Sequence, residues 1–378
     1  MSSLWGAVAV GGTQSTVALA RSDADGEVDW LSAERLSTCA DPAAMLDRLT
    51  DTLAGQVTDA RAATDDSSGS DGARASRLAG VGVVCGSPLD EKAGLVLAPP
   101  NLPEWARVDV LTPFTDRFGI RPSLLNDADA GALAEWAWGA GRGARSMVFL
   151  TVGTGLGAGL ILDSRLYRGA AGLAGEVGHW RLAPEGPVGH GKAGSFEGFC
   201  AGSGIARQAQ QLAAEQLSNG SPSALAPDWA SVAGLTAARA GQAADDGDAV
   251  ASALWTSVGS RLGAGLALLV DVLNPDVIVM GGIYNRQIAR IEPAMRAVLE
   301  QEALPASLRV CRIEPSALGE HIGDWSGLAA ALVGHTDTPT ARLLTEAAFA
   351  VSPSSAVHPR PRLSDSPDGQ VRSEGSHQ

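Results

Sequence analysis

Apolar and polar positions along the chain alternate between short unbroken apolar runs and longer stretches with helical spacing. Residues 5–10, a glycine pair and residues 16–20 predict strand, tight turn and strand. Residues 42–63 predict a helix, with Met45, Leu46, Leu49, Leu53 and Val57 on or near one face. Residues 64–76 (TDDSSGSDGARAS) have the composition of a flexible loop. A buried-type strand is expected at 78–85, ending in the turn Gly86-Ser87-Pro88. After a loop with paired prolines, helical spacing covers 108–118. A short strand at 122–125 and a helix from 128 to about 139 follow.

The apolar run at 147–162 is interrupted by four glycines and two threonines. A membrane helix does not have that composition, but a glycine-rich hairpin does. It opens what reads as a second domain. Residues 228–272 predict helix, 277–280 a strand ending in Gly281-Gly282, and 324–333 a last, Ala-rich helix. From 335 onward Pro, Ser, Thr and Asp dominate, around one apolar island at 343–351, so 335–378 reads as a disordered tail. Glycine-turn hairpins near the start of both halves predict two similar α/β units. The expected division is 1–124, to which 323–334 returns, and 125–322.

Composition narrows the function classes. A length of 378 residues is enough for two cores, and 45% hydrophobic with 19% charged residues is a globular composition. The net charge of −14 argues against nucleic acid or an anionic membrane as partner, since phosphate backbones draw on clustered Lys and Arg. A nucleotide is still admissible, because backbone N–H groups and a metal ion meet its charge locally. The four cysteines, Cys39, Cys85, Cys200 and Cys311, form no CxxC pair. They predict structural thiols in a cytoplasmic protein, and no signal peptide is visible.

Three glycine turns follow apolar runs: Gly11-Gly12-Thr13, Gly153-Thr154-Gly155-Leu156-Gly157 and Gly281-Gly282. Such turns let backbone amides approach phosphate oxygens, and a Thr hydroxyl adds a donor, although hairpins need glycine anyway. No Walker A loop is present. At Asn126-Asp127-Ala128-Asp129 one side chain is expected to cap the following helix, which leaves the others unexplained. A carboxylate at a strand end facing an interdomain cleft is a natural general base. The Glu176/His179 pair and Glu197 are, taken alone, more often structural or surface residues.

Together these elements resemble the ROK family of sugar kinases and repressors, within the actin–hexokinase superfamily. The resemblance runs from about residue 5 to 333. It is carried by PPNLPEW (99–105), NDADAGALAEW (126–136), LTVGTGLGAGLILDSRLYRG (150–169), AGEVGH (174–179), GSFEGFCAGSGIA (194–206) and NPDVIVMGG (274–282). It implies a two-domain, ribonuclease H-like α/β fold with ATP, Mg²⁺ and a sugar in the interdomain cleft. Asp127 would take the proton from a sugar hydroxyl, and Asn101, Asn126, Glu176, His179 and Glu197 would orient the sugar. Gly11, Gly12, Thr13, Thr154 and Gly155 would cradle phosphates, Gly281 and Gly282 would lie against the nucleoside, and Gly86-Ser87-Pro88 would border the sugar. The expected activity is phosphorylation of the 6-hydroxyl of a glucose-type hexose. The alternatives are an N-acetylhexosamine kinase and a sugar-binding pseudokinase. Homodimers are usual in the family.

The chain departs from the family pattern at identifiable places. The phosphate turn usually reads DxGGT, its acid helping to hold hydrated Mg²⁺; here that position is Ala9, and Gln14 stands where Lys is common. The zinc motif CxCGxxGC is replaced by VGHGKAGS (188–195), so no structural zinc is expected, and His179 would serve the sugar alone. Asp129 replaces the second Asn of NDAN, and Leu125 a common Glu. Two residues apart at a helix start, Asp129 need not perturb Asp127. The chain begins almost at the first phosphate turn, so a repressor's helix-turn-helix is not expected.

Overall fold

The computed structural model describes residues 3–23, 27–65, 78–335 and 339–349. Its first glycine turn joins β1 (Ser3–Val10) to β2 (Gln14–Ser22) in an antiparallel pair whose last register partners are Val10 and Ser15. The hairpin continues into β3 (Val28–Ser37), and after the Pro42–Asp65 helix β4 (Leu78–Cys85) runs parallel to β1. Three short strands, β5 (Leu89–Asp90), β6 (Leu95–Leu97) and β7 (Ala106–Asp109), form a small antiparallel sheet. β8 (Ser123–Asn126) then closes the first main sheet beside β4, in the order β3-β2-β1-β4-β8.

The Asp127–Trp138 helix leads to a second sheet of the same design. β9 (Met147–Val152), β10 (Leu156–Leu162) and β11 (Arg165–Leu166) form an antiparallel meander. The small hairpin of β12 (Val188–Gly189) and β13 (Lys192–Ala193) follows. β14 (Val277–Gly282) and β15 (Arg312–Pro315) then add in parallel, giving the order β11-β10-β9-β14-β15. Three antiparallel strands followed by two parallel ones occur twice. These are the two similar α/β units that the paired hairpins predicted, in the two-domain architecture that the family resemblance implies.

Apolar packing joins the two units. One cluster, including Trp5, Leu133, Phe149, Val279 and Leu328, draws on both sheets and on the helices Asp127–Trp138 and Ile322–Leu332. The Ile322–Leu332 helix lies so close to the first sheet that a Cβ on Gly82 would meet the Gly327 carbonyl oxygen at 2.1 Å. The Ala249–Leu273 helix is long and apolar enough to cross a membrane, but 61% of its most apolar window is buried in the second unit.

Four expectations are corrected. Residues 108–118 are not one helix: β7 reaches Asp109, whose Oδ1 accepts from the Leu111 and Thr112 amides at 2.9 and 3.0 Å, and the helix is only Thr112–Phe118. The 228–272 stretch breaks into Trp229–Val232, Ala237–Asp245 and Ala249–Leu273, because Asp228, Thr236 and Asp248 each cap a new start. The first sheet runs past 124, since Leu125 and Asn126 pair with Val84 and Cys85. Part of the expected tail is ordered: the Pro339–Phe349 helix buries Ala341, Leu344 and Ala347, giving the apolar island a core to join. The loop expected at 64–76 begins in the Pro42–Asp65 helix and otherwise lies outside the described residues, as does the tail beyond 349.

Candidate functional site

A cleft of about 1030 Å³ opens between the two units, lined by both hairpin turns, the 86–88 turn, the start of the Asp127–Trp138 helix and the 172–176 segment. A wide concave cleft with a few convergent polar groups is the usual form of a small-molecule site. Asn101, Asn126, Asp127, Glu176, His179, Glu197, Gly11, Gly12, Thr154 and Gly155 all line it. Thr13, Gly281 and Gly282 do not. Thr13 is exposed and its carbonyl accepts from the Thr38 amide at 3.0 Å. Gly282, at φ 69°, starts the Ile283–Glu302 helix against the Val152 carbonyl, a backbone reason for glycine that needs no ligand.

The capping question at 126–129 resolves in favour of Asn126. Its Oδ1 accepts from the amides of Ala128 at 2.9 Å and Asp129 at 3.2 Å, and its Nδ2 donates to Ser87 Oγ at 2.7 Å. Asp127 is thereby spared the capping role: it accepts from the Ala128 amide at 2.9 Å and presents its carboxylate to the cleft. Seen from Gly86, a Cβ would lie 3.7 Å from Asn101 Oδ1 and 3.8 Å from Asp127 Oδ2, so both groups face one patch of cleft floor. Although a small molecule can reach it, Asp127 sits deep among protein atoms. Desolvation is the main force pushing its pKa up; the Ala128 amide opposes it and the Glu176 charge adds to it. The same environment keeps neighbouring Cys85 a thiol: burial first, and Asp127 second, push it up to about 12.

The second hairpin turn is braced by side chains. Glu197 Oε2 accepts from the Leu156 amide at 3.2 Å, and the Gly202 amide donates to the Gly153 carbonyl at 2.8 Å. Glu197 stands one residue after Ser195–Phe196, where Ser195 caps a short helix through the Gly198 amide at 3.1 Å. The first turn is braced differently: Thr38 Oγ1 donates to the Gly11 carbonyl at 2.8 Å, and Gly12 lies so close to Asn101 that a Cβ would meet its carbonyl oxygen at 2.6 Å.

The residues at 188–195 do not fit a tetrahedral zinc. His179 and His190 meet edge to face with ring centroids 4.6 Å apart, and no thiolate is present in the hairpin. Hydrogen bonds hold the segment instead: Ser195 Oγ accepts from the Gly189 amide at 3.1 Å, and Lys192 Nζ donates to the His179 carbonyl at 2.6 Å. Among the described residues, no three His, Cys, Asp or Glu side chains are gathered to hold a metal ion.

Magnesium makes weaker demands, keeping much of its water and needing one or two carboxylates beside phosphate oxygens. Ala9 offers none. However, the helix turn packed on Ala9, where a Cβ on Gly323 would lie 3.6 Å from the Ala9 Cβ, carries Asp324. Asp324 is buried, its Oδ2 lies 3.4 Å from His321 Nδ1, and its Oδ1 has no partner; Thr16 Oγ1, 3.4 Å from the same Gly323 position, has none either. An orphaned buried carboxylate oxygen asks for a cation or water. Asp324 does not line the cleft, however, so it stands beside position 9 without facing the phosphate turns, and the residues present there supply no carboxylate to a hydrated ion.

Two residues beside the cleft had no role in the sequence reading. Arg168 donates through Nε to Asp129 Oδ2 at 3.1 Å and through Nη2 to Glu91 Oε1. Burial pushes the Asp129 carboxyl up to about 7, with Arg168 opposing and Glu91 adding to the rise; Asp127 contributes least. Arg168 lies inside the 150–169 stretch that carries the family resemblance, but the resemblance gave it no role, and Glu91 reads as one acid in an ordinary turn.

A family model described as the ROK family matches residues 5–333. The chain is 31% identical over 242 residues to a xylose repressor from Caldicellulosiruptor bescii, covering 64% of this chain and 59% of the repressor. It is 31% identical over 250 residues to a glucokinase from Halalkalibacterium halodurans, covering 66% of this chain and 74% of that protein. Among solved structures, a ROK family glucokinase from Streptomyces griseus in complex with glucose and AMPPNP superimposes with a TM-score of 0.67 at 27% identity, over 88% of this chain and 99% of that one.

Proposed function

The chain belongs to the ROK family, and from that premise we propose that it is a cytoplasmic, ATP-dependent kinase acting on the 6-hydroxyl of a glucose-type hexose. The observation that carries the reading is the division of labour at the helix start: Asn126 takes the capping duty and leaves the Asp127 carboxylate facing the cleft. The similarity to a glucokinase solved with glucose and a nucleotide analogue supports the choice of substrates.

In this reading the sugar lies over the Gly86 floor, with Asn101, Asn126, Glu176, His179 and Glu197 in reach of its hydroxyls. Asp127 accepts the proton of the 6-hydroxyl as that oxygen bonds to the γ-phosphorus of ATP. The bond from phosphorus to the bridging oxygen breaks, and ADP leaves. A positioned general base contributes roughly 10²–10⁴-fold, and the raised pKa makes Asp127 the stronger base once ionised. Phosphoryl transfer asks mainly for positioning and charge stabilisation. The amides of Gly11, Gly12, Thr154 and Gly155 supply donors to phosphate oxygens from both units. Magnesium, when bound with the nucleotide, would neutralise phosphate charge.

A coupled assay of ADP release over a panel of hexoses and N-acetylhexosamines tests the proposal. Turnover on glucose-type sugars is expected, lost in Asp127→Asn. Turnover confined to N-acetylhexosamines would move the substrate class and keep the mechanism. The second reading, a sugar-binding protein without turnover, is favoured by Ala9 and by the likeness to a repressor. Sugar binding by calorimetry without turnover on any sugar would establish it and sink the kinase.

A further inference from the structure

Arg168 stands at the meeting point of three parts of the cleft wall. Its guanidinium reaches Glu91, in the turn between β5 and β6 of the first unit, and Asp129, in the first turn of the helix that begins at Asp127. Its carbonyl accepts from the Ala174 amide at 3.1 Å, closing residues 169–174 into a loop. That loop turns on Gly169, Gly172 and Gly175, at φ 68°, 73° and 90°, and delivers Glu176 to the cleft. Glycines at these angles give the loop its path but little stiffness of its own.

Charge makes the arrangement one-sided. Asp127, Asp129, Glu176 and Glu197 are four acids lining the cleft, Glu91 is a fifth behind Asp129, and Arg168 is the cation bonded to two of the five. Asp129 is 5% exposed, and the Arg168 and Glu91 side chains 31% and 18% exposed, so this pair network is shielded from solvent. Arg suits the task because its planar fork serves two carboxylates at once, whereas Lys is a single point charge.

We propose that Arg168 is a positioning residue for sugar recognition: it fastens the glycine loop that carries Glu176 to the helix that carries Asp127, and ties both to the first unit through Glu91. This rests on the reading of the cleft as a sugar site. Arg168 touches neither reacting atom in that reading. Its effect passes through the placement of Glu176, so it belongs to sugar affinity and not to the nucleotide.

The test is calorimetric sugar titration of the full chain, with steady-state kinetics beside it, for Arg168→Ala, Arg168→Lys and Glu91→Gln. Arg168→Ala is expected to weaken sugar binding about tenfold or more. It should raise the sugar KM in step and leave the nucleotide KM within about threefold, since Gly11, Gly12, Thr154 and Gly155 lie elsewhere in the cleft. Arg168→Lys should recover part of the loss, and Glu91→Gln should show a smaller loss of the same kind. Unchanged sugar affinity in Arg168→Ala overturns the proposal. So does an equal loss of sugar and nucleotide affinity in Arg168→Lys and Glu91→Gln, which would mark a merely structural role. Sugar binding is read without turnover, so an inactive wild type would sink the kinase reading and leave this result to stand or fall alone.

Discussion

The two units share one strand order but bring different chemistry to the cleft. The first contributes neutral groups: the Gly11-Gly12 turn, braced by Thr38 and by close contact with Asn101, and the amide side chains of Asn101 and Asn126, while Ala9 leaves the turn without a carboxylate of its own. The second contributes side chains: its Thr154-Gly155 turn is braced by Glu197, and Glu176 and His179 follow β11 on a glycine loop. Asp127 stands at the join, where the last strand of the first sheet runs straight into a helix packed on the second. The difference teaches that a repeated frame fixes where the turns lie, while bracing and charge decide what each turn can hold.

Breaking the join should cost most. Asp127→Asn is expected to lower kcat by roughly 10²–10⁴-fold at saturating sugar, measured by ADP release. Glu197→Ala attacks the side-chain-rich unit alone. It removes a charged acceptor from the Leu156 amide and from the sugar, and should weaken sugar affinity by about 1.5–3 kcal/mol in a direct titration. Asn126→Ala loses the cap and the Ser87 contact, and should lower stability by about 1 kcal/mol in urea unfolding, with a larger loss in kcat than in sugar affinity. Ala9→Asp should strengthen the Mg²⁺-dependent part of nucleotide binding, measured by titration with and without Mg²⁺. Equal Mg²⁺ dependence in wild type and Ala9→Asp would mean that position 9 does not reach the ion.

The last prediction is a pH dependence. The folded-state pKa of Asp129 is raised from 3.8 to about 7, chiefly by burial. The folded chain thus holds this proton more tightly than the unfolded one, and the stability so gained is present below 3.8 and lost as pH rises through about 7. Asp129→Asn should flatten that fall in thermal unfolding measured across the same window.

Much of the fold was legible because its signals are local. Apolar runs ending in glycine turns marked β1, β4, β9 and β14, and the pairing of Asn126 with Asp127 marked the junction. What stayed hidden was decided by contacts distant in sequence or by caps inside a helical pattern. Asp228, Thr236 and Asp248 cut one apparent helix into three because each side chain takes the amides of a new helix start. The island at 343–351 looked stranded only because its partners, the helices Asp127–Trp138 and Ile322–Leu332, lie far away or before it in the chain. Arg168 meets Asp129 across 39 residues and Glu91 across 77, and no spacing rule reaches that far. Similarly, the orphaned oxygen of Asp324 is a property of burial, which the acid's position in an Ala-rich helix does not announce.

The central claim is that Asp127 is the base, placed at the join of two units that both lend groups to one cleft. It is tested most directly by rapid-quench measurement of a single phosphoryl transfer in wild type and Asp127→Asn, with sugar affinity titrated on the same samples. The account predicts transfer slowed by roughly 10²–10⁴-fold with sugar affinity nearly unchanged. Transfer at the wild-type rate in Asp127→Asn would contradict it.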